Sequence, residues 1–289
     1  MALVRVLVDS VACLPPDLAG KNGIAVISVR IAAGGTTYRD TPEDLPPELV
    51  SQLQESGRID TTPWPPEHYC ERYLTCGAGT DTLIHVVASA RFTSTMELAR
   101  AGARMAKERR PDLDVVIVDS RSMLMAQGFV ALSGARATAR TDDAKAIVAR
   151  LEEARENVRL VCSLSSMRHI ARTGRVPRLV GWAGTLLNVR PIVGMANGKE
   201  HPLGLVRSRS QESRALVEHV QKAAKGQAGV RVAVMDSGRW DDGEELMERL
   251  VSAVAPIEAI HAALSPVSQV VAGPGLLGVA ILGEITPRD

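Results

Sequence analysis

Two aspartates close apolar runs and are followed at once by serine: Asp9 in LVRVLVDS and Asp119 in LDVVIVDS. Carboxylates at the ends of parallel strands hold Mg2+ in phosphoryl-transfer folds, so metal-dependent phosphoryl transfer through Asp9 and Asp119 is one chemistry open to this pattern. Asp and Ser in the same place also cap the helix that follows. Between them lies a third polar cluster. VVASARFTSTMELA (86–99) is an apolar strand that breaks into Ser89, Thr93, Ser94 and Thr95 and then turns helical. Strand, loop and helix N-terminus together make an anion site, because free backbone N–H groups and the helix dipole point at the ligand. This loop has no glycine, and Arg91 and Phe92 stand where a phosphate cradle needs bare backbone.

Other candidate chemistry is weaker. A serine nucleophile built from Ser89, Asp119 and a histidine lacks any G-x-S-x-G elbow. His85 sits on an apolar strand and reads as a satisfied core residue. GPGLLG (273–278) spells G-x-G-x-x-G but precedes a β-rich run, whereas a dinucleotide fingerprint follows a strand and opens a helix. Cys13, Cys70, Cys76 and Cys162 form no C-x-x-C pair, and Cys70, Cys76, His68 and His85 lack regular metal-ligand spacing. Free buried thiols in a reducing compartment are the expectation, with no metal and no cofactor.

The elements that carry these residues follow from periodicity. LVRVLVD, IAVISVRIAAGG, TLIHVVAS and LDVVIVDS read as strands. TTYRDTPEDLPPELVSQLQESG reads as a loop and a helix stopped by Gly57, a helix runs from about Thr95 to Arg109, and another starts near Met123. Strands alternating with helices predict an α/β fold with a parallel sheet covered by helices on both faces, and ligands in such sheets bind beyond the strands' carboxyl ends. After about residue 157 the pattern becomes mixed, with a hairpin at Asn197–Gly198 and strands in RVAVMDS, IEAIHAAL and LLGVAILG. Residues 1–157 and 158–289 are the expected domains, the second a smaller mixed α/β unit.

With 289 residues, 45% hydrophobic and 23% charged, the chain buries a substantial core. Aromatics are only 3%, so stacking surfaces for single-stranded nucleic acid are scarce, and a net charge of +1 attracts neither nucleic acid nor anionic membrane. MALVRVLVDS reads as a strand and not as a signal peptide, and no uncharged stretch reaches bilayer-spanning length, so a cytoplasmic location is expected.

Taken in order, the polar clusters resemble the DegV family, whose fatty acid kinase B subunits hold a fatty acid between two domains. VLVDSVACLPPDL is similar to the family's opening Asp-Ser loop and TTYRDTPEDLPPELV to its Tyr-Arg-Asp segment. DTTPWPP stands for Thr-Ser-x-Pro, and ASARFTSTMELA for Ser-Ser-x-Leu-Ser-Gly-Thr. IVDSRSMLMAQG resembles its second Asp-Ser strand, ARTGRVPRLVGWAGTLLNVRPIVGMANGK its Gly-Arg-Ile turn and Leu-Asn-x-Lys-Pro-Ile hairpin, and AGPGLLGVAIL its closing Thr-Gly-Pro-Gly stretch.

The resemblance implies a protein that binds a fatty acid or similar lipid in a tunnel between its domains. It would catalyse nothing itself and would present the carboxylate to a separate ATP-dependent kinase subunit for acyl-phosphate formation. Carried over by position, Thr61, Thr62, Ser89, Thr93, Thr95 and Arg175 are the carboxylate-binding groups, with Phe92 and Val271 lining the ligand. Val271 replaces a family histidine, Ala90 its second serine, and Arg91 and Ser94 two of its glycines. A head-group contact is therefore missing, which leaves open a ligand without a carboxylate. Arg91 is either a new charge partner for the ligand or a rim residue.

Overall fold

The structure is a computed structural model that describes residues 4–56, 59–172 and 189–285. The first strand, β1 (Val4–Asp9), is buried except at Arg5, as its β-branched run requires in a sheet covered on both faces. After a turn and α1 (Pro16–Lys21) come β2 (Ala25–Ile27), β3 (Arg30–Ala33), β4 (Thr36–Arg39), α2 (Pro47–Glu55) and α3 (Pro66–Cys76). The first half continues with β5 (Thr82–Val87), α4 (Thr95–Arg109), β6 (Asp114–Asp119), α5 (Leu124–Thr138) and α6 (Ala144–Asn157). Strands β2, β1, β5 and β6 form an all-parallel sheet in that order, which brings the ends of β1, β5 and β6 side by side.

The second half contains β7 (Arg159–Ser163), α7 (Arg168–Ala171), the hairpin strands β8 (Arg190–Ala196) and β9 (Lys199–Val206), and α8 (Arg209–Ala224). Beyond them lie β10 (Gln227–Asp236), α9 (Trp240–Val254), β11 (Glu258–Ala263), α10 (Pro266–Ala272) and β12 (Leu277–Ile285). Six strands form a mixed sheet in the order β11-β10-β12-β7-β8-β9, parallel only between β10 and β11.

The buried clusters show how the layers stack. Tyr69, Tyr73, Ala99 and Ala106 of α3 and α4 pack on Leu7, Leu83 and Val87, one face of the parallel sheet. On its other face, Val6, Ile84 and Val86 meet Met125 and Phe129 of α5, which share one core with Cys162, Met235 and Ala280 of the mixed sheet. Helices α8 and α9 cover that sheet's far side through Leu216, Val220, Leu246 and Leu250. Helix α5 is thus enclosed between two sheets, which is why LMAQGFVALSGARAT is apolar on nearly every side.

Three expectations change. IAVISVRIAAGG is not one strand: the chain leaves the parallel sheet after Ile27, where Val29 N–H donates to Ser10 Oγ and Val29 C=O accepts from Asp40 N–H. Arg30–Ala33 then pairs with Thr36–Arg39 in a small hairpin, so TTYR is strand and not loop. Helices α3, α6, α8 and α10 are additions to the sequence reading. The α2 helix ends at Glu55, and Gly57 lies outside the described residues, as does the segment 173–188 with Arg175. The Asn197–Gly198 hairpin turn forms with both residues at positive φ (51° and 74°), as the Asn-Gly pair requires. Among the described residues no helix is long and apolar enough to cross a membrane.

Candidate functional site

A cavity of about 210 Å³ opens beyond the carboxyl ends of β1 and β5 and is lined by residues from both halves of the chain. Phe92, Met123 and Leu124 contribute from the first half, and Leu160, Cys162, Met195, Val267, Val271 and Leu276 from the second. Phe92 and Val271, expected to line a ligand, both line this cavity. Burial pushes the Cys162 thiol up to about 12, so it is an apolar wall group at neutral pH. All four cysteines are free and buried.

Three predicted head-group residues, Thr61, Thr93 and Thr95, line the same cavity. Thr93 and Thr95 hydroxyls hydrogen-bond each other at 2.8 Å, and Thr95 N–H donates to Thr93 Oγ1 at 3.2 Å, a local turn that starts α4. Thr61 is the middle residue of an Asx turn in which Asp60 Oδ1 accepts both Thr62 N–H (2.8 Å) and Thr62 Oγ1–H (2.5 Å). That loop is tied to β3 by reciprocal backbone hydrogen bonds between Ala32 and Asp60. Thr62 is exposed and does not line the cavity. Ser89 does not line it either: it is 1% exposed, its N–H donates to Ser122 C=O, and its C=O and Oγ accept from Phe92 N–H and Arg91 N–H. Ser89 thus shapes the loop that presents Thr93 and Thr95. Arg175 lies outside the described residues.

The aspartates divide. Asp9 is 1% exposed and faces the cavity, with Oδ1 at 3.2 Å from His85 Nε2 and Oδ2 accepting from Ala88 N–H (2.7 Å) and Gln127 Nε2 (3.3 Å). His85 Nδ1 in turn meets Tyr73 Oη at 2.8 Å, so His85 is the satisfied core residue its context implies. Asp119 ends the strand beyond β5 and accepts from Ala90 N–H and Arg121 N–H. Both carboxylates are engaged as local acceptors, with β5 between their strands. Among the described residues no three acidic, histidine or cysteine groups gather as a metal site. The GPGLLG stretch is a turn leading into β12, not a nucleotide loop.

Arg91 has an identified partner. Its Nε and Nη2 donate to Glu200 Oε2 and Oε1 at 2.8 and 3.1 Å, a bidentate pair joining the loop after β5 to the hairpin β8–β9. Glu200 lines the cavity with its side chain 3% exposed, while that of Arg91 is 39% exposed and does not line it. A glutamate 109 residues away carries no local signal in the sequence.

Two more residues escape the sequence reading. Asp40, buried at 5%, accepts Ser10 Oγ–H (2.6 Å) and Val267 N–H (2.7 Å), so it ties β1 to the first turn of α10, which carries Val267 and Val271. Burial pushes the Asp40 carboxyl up, against the pull of those hydrogen bonds. Arg30, the first residue of β3, also lines the cavity. An arginine inside the apolar run IAVISVRIAAGG reads as part of a strand, and strand periodicity marks no function.

The family model described as an uncharacterised protein of the DegV family matches residues 3–284. Protein DegV of Bacillus subtilis is 25% identical over 278 residues, covering 96% of this chain and 98% of its own length. A DegV family protein from Thermus thermophilus, described for its fatty acid binding, superposes with a TM-score of 0.87 at 24% identity, covering 97% of this chain and 99% of its own. A stearic acid-binding protein from Eubacterium ventriosum also superposes at 0.87, with 18% identity and 99% of each chain covered. At these identities the structural matches establish a shared fold.

Proposed function

The chain belongs to the DegV family, and on that premise we propose that it binds a long-chain fatty acid, with the tail in the apolar cavity and the carboxylate at Thr61, Thr93 and Thr95. The observation that carries the reading is the lining: an apolar wall drawn from both halves of the chain, with neutral hydroxyls grouped beside a helix N-terminus. Fatty acid binding by the Thermus thermophilus and Eubacterium ventriosum proteins supports it. A dozen methylenes contribute about 0.8 kcal/mol each before the cost of association. A charge-assisted head-group bond contributes about 1.5–3 kcal/mol. The tail sets affinity and the head contacts set orientation.

In this reading residues 1–157 and 158–289 are the two units that hold the ligand, in the cytoplasm. Thr62 and Ser89 act by shaping the head-group loops. Arg175 is assigned to the head group on the family resemblance alone. The protein itself catalyses nothing: it desolvates and orients the carboxylate for a separate ATP-dependent kinase subunit that makes the acyl phosphate. Phosphoryl transfer at Asp9 and Asp119 is the poorer reading, because both Asp9 oxygens and Asp119 Oδ1 are engaged in hydrogen bonds and β5 lies between their strands.

Organic extraction of the purified protein followed by mass spectrometry tests the binding reading. A fatty acid in near-stoichiometric amount is expected. An empty extract, with no thermal stabilisation on adding palmitate or stearate, overturns it. The kinase role is tested separately, by adding a fatty acid kinase subunit and ATP to the loaded protein and looking for acyl phosphate.

A further inference from the structure

Among the described residues, three side chains that carry charge line the cavity: Asp9, Arg30 and Glu200. Two of them are neutralised or engaged by the protein. Glu200 is held by both arms of the Arg91 fork, and Asp9 faces His85, Ala88 N–H and Gln127. Arg30 differs. Its Nε donates to Thr62 C=O at 2.8 Å and its guanidinium lies over the Trp64 ring, 5.5 Å from the centroid, yet it has no acidic partner among the described residues. One of its five N–H donors is used by that bond, and the four on Nη1 and Nη2 make no hydrogen bond among the described residues.

The cation is placed where a head group would need it. Arg30 stands next to the tie between β3 and the Thr61 loop, since Ala32 bonds Asp60 in both directions. Its charge also reaches the Tyr69 hydroxyl: burial and the Asp9 charge push that group's pKa up, and Thr95 and Arg30 oppose the shift. Arg30, Thr61, Thr95 and Asp9 all line the cavity, with Arg30 bonded to the Thr61–Thr62 loop and Arg30, Thr95 and Asp9 all acting on Tyr69. The side chain is pre-set as well, because Trp64 beneath it is fixed by its own Nε1–H bond to Ser28 C=O at 2.9 Å. At the place where the family has a histidine, Val271 offers the cavity neither charge nor donor.

We infer that Arg30 is the cationic partner of the ligand's head group and makes this cavity select an anionic amphiphile over a neutral one of the same length. The inference rests on the proposal that the cavity holds a lipid. It adds a cation to the neutral hydroxyls of that head-group site and places the charge on a residue outside the threonine loops.

Two ligands and two variants test it. Palmitate and 1-hexadecanol share a tail and differ in charge, and their dissociation constants are measured by displacement of a fluorescent fatty acid from wild type, Arg30→Gln and Arg30→Lys. Wild type is expected to prefer palmitate by about 10- to 100-fold, the range of one charge-assisted bond. Arg30→Gln is expected to lose that preference while binding hexadecanol within about twofold of wild type, which also shows that the variant is folded; Arg30→Lys keeps part of it. Carboxyl-labelled palmitate followed by NMR gives a readout that a merely structural role does not move: its titration midpoint rises in Arg30→Gln. If wild type binds both amphiphiles and Arg30→Gln keeps the acid preference, the inference falls and lipid binding stands. If wild type binds neither, the lipid reading falls and takes the inference with it.

Discussion

Strands β1 and β10 end in the same way and lead to different things. In each, the strand closes on an aspartate followed by serine, and the neighbouring parallel strand carries a histidine opposite the residue two before that aspartate: Leu7 faces His85, and Val234 faces His261. Each aspartate meets its histidine's Nε2, at 3.2 Å for Asp9 and 3.1 Å for Asp236. Beyond Asp236 the chain fills the space itself. Ser237 exchanges backbone hydrogen bonds with Leu276 and Gly275, and Gly275 C=O accepts from Arg239 and Arg190, both paired to the buried Glu212. Beyond Asp9, Ser10 is held by Val29 and Asp40, and Asp9 itself lines the cavity. One strand-end device therefore serves two purposes: at β10 it anchors a loop, and at β1 it supports the floor of a site.

The surroundings of the two histidines differ to match. His85 is fully buried under Tyr73, while His261 is stacked on the half-exposed Trp240 at 3.7 Å between centroids. The largest expected contrast follows from that. Asp9→Ala leaves Ala88 N–H and Gln127 buried without their acceptor and His85 without its neighbour, and should cost about 3–5 kcal/mol, since each buried group left unpaired costs about 1–3 kcal/mol. Urea unfolding measures it. A loss no larger than that of Asp236→Ala would break the comparison, because burial would then not be what separates the two pairs.

A second contrast lies in the helices packed nearby. A Cβ at Gly102 of α4 would sit 2.6 Å from Pro66 C=O and 2.6 Å from Tyr69 Cβ, parts of α3 that cannot swing aside. A Cβ at Gly243 of α9 would clash with His261 Nε2, the end of a side chain that can. Gly102→Ala should cost about 1–3 kcal/mol as an overpacked contact. Gly243→Ala should cost less, displacing His261 from Asp236. Thermal unfolding of both variants ranks them, and equal losses would mean that Trp240 clamps His261 as firmly as a backbone would.

The sequence shows these regions unequally, for physical reasons. The parallel strands were legible because β-branched runs between turn signals admit few other folds, and Thr95–Arg109 was legible by its period. The break after Ile27 was hidden, because its cause is a hydrogen bond from Val29 to Ser10 across 19 positions. Helix α6 carries its own signal, since AKAIVARLEEAREN has helical spacing and an Asp143 cap whose side chain accepts Lys145 N–H. At the site, Thr93 and Thr95 were legible since a helix N-terminus gathers its polar groups locally. Glu200 and Asp40 were not, since each acts on a partner far away in sequence: Arg91 for one, Val267 for the other.

The smallest expected effect is the sharpest test of what the second strand end is for. Asp236 accepts Arg239 N–H at 2.7 Å and holds His261, which keeps a stacking partner and partial exposure when the aspartate is gone. Asp236→Ala should therefore cost about 1–2 kcal/mol, one hydrogen bond to a charged group with water able to replace part of it. Asp236 and Asp9 lie in different sheets, and Asp236 does not line the cavity, so palmitate affinity should stay within about twofold of wild type. Gly275, however, is one residue from Leu276, which does line it. If Asp236→Ala weakens palmitate while hexadecanol and palmitate lose affinity together, the β10 loop shapes the tail wall, and the anchor belongs to the site after all.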